Sequence, residues 1–358
     1  MKKILLLITL SISFQFIDAQ VLMNDNFNSL NTGNISTEIT GTVAGQGGYF
    51  LFSSNGGSAT SPTTSTNAGV SNSQIVATGN ASKGILLEGP NGNLGSRFVW
   101  KDGLPALWSA RTANNNIIEL EIDINPGAGT TTSKNVFGVY IYNAAFDKVL
   151  VGFTVSAATR ELFLVCYSTP APDPVDNWSY SLAAAPGIQL PANTFSRIGI
   201  SYNVTTGQTR IKAPGIAAAG LTLAGSSAGT APAEIDFLSF SGSTSTAPNT
   251  SSTTMVMDNL TVRASATDTL LDNAIFDSET TTFSVSPNPA KDLITITNSD
   301  NISVNSISIT DLNGRTVKQN TYSNETNVQV NISDLSSGVY MMNITSEKGS
   351  VTKKIIKN

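Results

Sequence analysis

From Ile117 to Asn125 apolar and polar side chains alternate without a break. Ile118, Leu120, Ile122 and Ile124 fall on one side; Glu119, Glu121, Asp123 and Asn125 fall on the other. A period of two is that of a β-strand with one face against a core. The same pattern predicts strands over residues 136–142, 148–155, 161–167, 195–204, 208–212 and 255–262. Thr205-Thr206-Gly207, between two of these runs, supplies hairpin-turn chemistry. Gly, Asn, Pro and Ser bound the others, and no segment carries three turns of helical apolar spacing. Many short strands with turn residues between them predict an all-β, two-sheet sandwich over residues 20–265.

The pattern changes twice. Residues 266–282 are acidic and aperiodic and read as a linker; residues 283–358 return to short alternating strands, a second and smaller sandwich. At the other end, Lys2 and Lys3 precede an uncharged apolar run and a small residue at Ala19. That order is the pattern of a secretory signal peptide over residues 1–19, too short in its apolar run for a membrane anchor.

Composition narrows the chemistry. Only 13% of the 358 residues are charged, while 40% are hydrophobic, enough for packed cores. A net charge of -5 excludes the clustered cations that nucleic acid needs. The chain has no histidine, which removes histidine-based triads, imidazole bases and histidine-ligated metals. Its one cysteine, Cys166, sits in an apolar strand and has no partner for an internal disulfide.

Residues 193–215 (NTFSRIGISYNVTTGQTRIKAPG) and 255–262 (MVMDNLTV), with an opening NDNFNSL at 24–30, resemble pieces of laminin-G and concanavalin-like jelly-roll domains. The resemblance implies a jelly-roll sandwich whose first and last strands lie side by side. Residues 283–358 resemble the C-terminal sorting domain of the type IX secretion system of Bacteroidetes. Four pieces carry this in order: FSVSPNPAKDLITI at 283–296, SISITDLNGRTVKQ at 306–319, NISDLSSGVYMMNI at 331–344 and the basic, apolar tail VTKKIIKN at 351–358. The resemblance implies an export address read by the outer-membrane translocon and removed by its sorting peptidase. The protein is then secreted or attached to the outer cell surface.

Several residues are candidates for chemistry. On a jelly roll, Glu121-Ile122-Asp123 resembles the start of the Glu-x-Asp-x-x-Glu motif of laminarinase-like hydrolases, but Pro126 stands where the second Glu belongs. A proline cannot move a proton, so Glu121 and Asp123 are read as a polar strand face or ligand contacts. Trp178 and Tyr180 follow a Pro- and Asp-rich loop and, with Asp176, form the first candidate sugar platform. Trp108 and Arg111, beside Trp100, Arg97 and the loop-like KDGLPAL, form a second. Asp25 and Asp258 would meet if the first and last strands pair and could hold a structural calcium, as could Asp173 and Asp176 from one loop; no other cofactor is expected. Asp268-Thr269-Leu270 matches a three-residue O-glycosylation pattern. The expected function is glycan binding or adhesion at the cell surface. A polysaccharide-degrading enzyme and a structural surface protein are the alternatives.

Overall fold

The computed structural model describes residues 19–57, 64–79, 82–130, 132–217, 219–242, 247–271, 283–297, 302–311, 315–346 and 349–358. The expected signal peptide lies outside the described residues but for Ala19. The chain divides into two compact units at residues 273/274.

In the large unit the strands are β1 (Gln20–Asp25), β2 (Gly33–Asn34), β3 (Tyr49–Ser54), β4 (Ser73–Gly79), β5 (Ser82–Glu88), β6 (Ser96–Lys101), β7 (Ile117–Asn125), β8 (Asn135–Tyr142) and β9 (Val149–Ser156). They continue with β10 (Glu161–Ser168), β11 (Asp176–Ser181), β12 (Ile188–Gln189), β13 (Ser196–Asn203), β14 (Gln208–Lys212), β15 (Leu221–Ala224), β16 (Glu234–Ser241) and β17 (Thr254–Ser265). They form two sheets. One has nine strands in the order β15-β14-β13-β7-β17-β5-β4-β2, with β1 also on β17; the other has eight in the order β11-β10-β9-β8-β16-β6-β3, with β12 also on β10. This is the expected all-β jelly-roll sandwich.

The core is made where the alternating apolar faces meet. Ile118, Leu120, Ile122 and Ile124 of β7 face Val139, Ile141, Phe153, Leu164 and Phe237 of the other sheet, all fully or almost fully buried. The predicted hairpin is present: Gly207 adopts φ 75° and its N–H donates to the Asn203 carbonyl at 2.8 Å. β1 pairs with β17, Asp25 opposite Leu260, so the first and last strands of this unit are neighbours. KDGLPAL, read as loop-like, instead runs into one short helix, α1 (Leu104–Ser109), with Pro105 in its first turn and Leu104 and Trp108 buried on one side. Six residues are too few to show a 3.6-residue period, and Pro is at home only in a first turn.

The small unit has β18 (Ser284–Ser286), β19 (Leu293–Thr297), β20 (Val304–Asp311), β21 (Thr316–Glu325), β22 (Val328–Asn331), β23 (Gly338–Ser346) and β24 (Gly349–Lys357). A three-stranded sheet, β18-β19-β22, and a four-stranded one, β21-β20-β23-β24, enclose Ile294, Ile296, Ile307, Ile309, Met342, Ile344 and Ile355. The Pro287-Asn288-Pro289 turn is clamped to the last strand. Ile356 N–H donates to Asn288 Oδ1 at 2.8 Å; along the same seam Ala290 N–H donates to the Ile356 carbonyl and Asn358 N–H to the Ala290 carbonyl. Leu312, Asn313 and Gly314, expected as a turn, lie outside the described residues, while Asp311 N–H reaches the Arg315 carbonyl across them.

Candidate functional site

The polar face of β7 is occupied by the protein itself. Arg263 Nη1 lies 2.9 Å from Glu121 Oε1, and Arg197 spans Glu121 and Asp123 at 3.4 Å each. Asn259 Nδ2 donates to Asp123 Oδ2 at 2.8 Å. Residues 266–271, the start of the expected linker, lie across this face as a strap. Thr269 donates its N–H and Oγ1–H to Glu119, and Leu271 donates its N–H to Glu121. Asp268 accepts the Ser201 Oγ–H and pairs with the Arg210 guanidinium. Leu270 is fully buried over Gly199, whose missing side chain makes the room: a Cβ there would lie 2.7 Å from Leu270 Cδ1. Glu119, buried beneath the strap, is raised above the ordinary carboxylate range by desolvation. Thr269, the hydroxyl of the O-glycosylation pattern, is thus hydrogen-bonded to a buried carboxylate.

The outer face of the eight-stranded sheet is of another kind. Residues directly opposite one another on adjacent strands point to the same side. Register places Phe50, Trp100, Asp236, Tyr140 and Gly152 in one row across five strands. The next row holds Phe52, Phe98, Leu238, Gly138 and Thr154. Phe50 and Trp100 stack with centroids 5.5 Å apart and planes 14° from parallel. Phe52 and Phe98 lie 6.3 Å apart, Tyr140 and Tyr142 5.8 Å, Tyr142 and Phe146 6.0 Å. Two glycines make room for the rings: a Cβ on Gly152 would lie 2.4 Å from Tyr140 Cδ1, and one on Gly41 2.4 Å from the Trp100 ring. Most of these rings are half-buried, and Phe52 and Phe146 are exposed.

Within the rings sits a pair of acids. Asp236, only 6% exposed, lies between Trp100 and Tyr140, with Glu234 two residues away on the same face, opposite Tyr142. The two carboxyl groups share a hydrogen bond, and Asp236 Oδ1 has no partner. Desolvation, then the charge of Glu234, pushes Asp236 up to about 8; Glu234 is raised too, by burial.

The other expected residues are spread over the sandwich. Trp178 and Tyr180 lie on β11, an edge strand, opposite Cys166 and Leu164, and so point to the core side of the sheet. Both are half-buried; Trp178 Nε1 donates to the Pro174 carbonyl at 3.0 Å and Tyr180 Oη meets Ser168 Oγ at 2.7 Å. Asp176 is exposed and accepts the Asn177 N–H. Trp108 is buried, with the Arg111 guanidinium 4.0 Å from its ring centre. Arg111 spends its donors on the Asn115 and Trp108 carbonyls and Asn116 Oδ1. Arg97 is buried, donating to the Ser54 carbonyl and Asn67 Oδ1, and is lowered to about 10 by burial.

Asp25 accepts the Phe27 N–H and Tyr49 Oη–H, while Asp258 accepts Thr78, Ser82 and the Asn259 N–H and is held up at about 6 by burial. Each carboxylate has its own protein donors. Among the described residues no group of three or more acids or cysteines is placed to hold a metal.

The aromatic row was readable only in part. Trp100 stands out, but YFLFS, RFVW and VYIY break alternation by being apolar on both faces, which in isolation reads as a doubly buried strand. β16 was missed because EIDFLSFS puts two acids at its start; the doubled acid between aromatic positions is the signal that was there.

Solved structures similar to this chain include an alginate lyase from Chlorella virus, at 12% identity and a TM-score of 0.37, covering 54% of this chain and 88% of that one. Another is the binding domain of botulinum neurotoxin serotype C1, at 12% identity and a TM-score of 0.38, covering 78% of this chain and 66% of that one. No curated protein matches the sequence. No helix among the described residues is long and apolar enough to cross a membrane. Residues 284–358 match the secretion system C-terminal sorting domain, so the small unit is a type IX sorting domain and the chain is secreted or carried on the outer surface.

Proposed function

We propose that the large unit is a glycan-binding, adhesive module that works outside the cell, and that the outer face of its eight-stranded sheet is the binding surface. One observation carries this: half-buried rings lie in one row, Phe50 stacked on Trp100 and Tyr140 beyond them, with a buried carboxyl between Trp100 and Tyr140. Flat rings offer apolar faces to sugar C–H groups, and acids between them take sugar hydroxyls and fix orientation. The carboxylates a hydrolase of the laminarinase kind would use lie instead on the other sheet, paired to arginines beneath the strap. Phe52, Leu238 and Val136 extend the apolar surface along the strands, giving room for a polymer. The test is a glycan array on the full chain beside Trp100→Ala. The expected result is binding to a defined polysaccharide class that Trp100→Ala loses. Binding that survives Trp100→Ala and Tyr140→Ala together would overturn it.

A further inference from the structure

The acids on the aromatic face have no counter-charge. Among the described residues none of Glu234, Asp236 and the nearby Asp102 has an ion-pair partner; the arginines of this unit that form ion pairs, Arg197, Arg210 and Arg263, serve the other sheet. Lys101, at the end of β6, and Lys148, just before β9, lie over the rings of Tyr49 and Tyr167. Asp236 Oδ1 is buried and unpartnered. A buried acceptor without a donor costs free energy, and a carboxylate without a cation costs more. The faces of Trp100, Tyr140 and Tyr142 add negative potential of their own, since an aromatic quadrupole favours a cation above the ring. Acceptors and ring faces of this kind are all suited to one group, a protonated amine with three N–H donors.

We propose that Glu234, Asp236, Tyr140, Tyr142 and Trp100 form a site for a protonated amine, and that the glycan taken by this face is one with free amino groups, a de-N-acetylated amino-sugar polymer. This rests on the glycan reading of the same face. Glu234, half-buried, meets the amine; Asp236 beneath it shares its proton with Glu234 and offers Oδ1 when a flanking ring turns. Uronate and sulfated polymers are repelled by the same acids.

The experiment is calorimetry on the full chain with hexamers of glucosamine, N-acetylglucosamine and glucose, and with methylammonium as a small cationic probe. The glucosamine hexamer is expected to bind at least about tenfold tighter than the other hexamers. Glu234→Gln, a change at a half-buried position, is expected to reduce that preference to near unity. Equal or tighter binding of the neutral hexamers, or a preference that survives Glu234→Gln, overturns the amine site. If no hexamer binds but methylammonium does, and Glu234→Gln loses it, the amine site stands and the glycan reading falls. If neither binds, both fall.

Discussion

The N–H of Leu271 donates to Glu121 Oε1 at 3.1 Å, the same oxygen that lies 2.9 Å from Arg263 Nη1. The chain that leaves the last strand of the large unit is therefore tied back to its central strand. The sequence reads Glu121 as a polar strand face or a ligand contact; the structure gives it three protein partners, Arg263, Arg197 and the strap.

Glu121→Ala is expected to lower unfolding free energy by about 3–5 kcal/mol, because it leaves Arg263 buried with its opposite charge removed. Urea denaturation measures this. Glycan binding per folded molecule should not change, because Glu121 is on the other sheet. Wild-type stability in Glu121→Ala would show that the arginines and the strap do not depend on it.

Gly199→Val is expected to lift the strap. Leu270 occupies the space above Gly199, and a branched side chain has nowhere else to go than into it. Overpacking of this kind costs about 1–3 kcal/mol. Limited proteolysis should cut within residues 266–271 of the variant faster than in the parent. Equal cleavage rates would mean that Leu270 is not what holds the strap.

Much of the sandwich was legible because its strands are half-buried. β7, β13 and β14 announce themselves by strict alternation, and β13 and β14 are joined by a turn whose Gly207 takes the positive φ such turns need. β16 and β6 were not legible: they are central strands with apolar or aromatic residues on both faces, so their period is erased. The role of Glu121 and Asp123 was out of reach for another reason. Alternation places them on an outer face but cannot show that residues 266–271 return from far along the chain to cover it. The aromatic face depends on register between β3, β6, β16 and β8, which the sequence of no single strand contains.

Stability should fall as pH rises from about 4 to about 8. Asp236 is held up at about 8 and Asp258 at about 6, from an ordinary 3.8, and Glu119 is raised as well, all by burial first. In that window the folded chain keeps protons that the unfolded chain has released, so each step up in pH favours unfolding, and the effect levels off above the folded value. Glu38, lowered to about 2 by its hydrogen bonds from Thr40 and Val43, acts only below this window. Melting temperature should thus be lower at about pH 9 than at about pH 5, and Asp236→Asn should flatten the upper part of the slope. A melting temperature that rises over this range would contradict the burial of these acids as neutral groups.

Trp100→Ala and Trp178→Ala should separate binding from packing. Trp100 stacks on Phe50 across an outer face, and its loss is expected to weaken glycan binding by about 2 kcal/mol or more. Trp178 points to the core side of an edge strand and spends Nε1 on its own loop, so its loss should show in melting temperature and leave affinity within about twofold. The reverse result, affinity lost with Trp178 and kept without Trp100, would move the site to the edge of the sandwich.

Truncation after residue 273 should leave a folded large unit that is no longer exported. Each unit has its own core: the residues that close the small one, among them Ile294, Ile307 and Ile344, pack with one another, as do Ile122, Val139 and Phe237 in the large one. A cut at 273 spares the bonds of Thr269 and Leu271 to Glu119 and Glu121. A cut at 265 would remove them, exposing Leu270's place over Gly199 and leaving Glu119 and Glu121 without their backbone donors. The two truncations should therefore both stay inside the cell envelope, because both lack the sorting domain, yet differ in melting temperature, the shorter being the less stable. Fractionation of cells and medium reads the first property, and thermal unfolding of the purified fragments reads the second. Export of either fragment would detach secretion from residues 284–358, and equal melting temperatures would make the strap a passive tail.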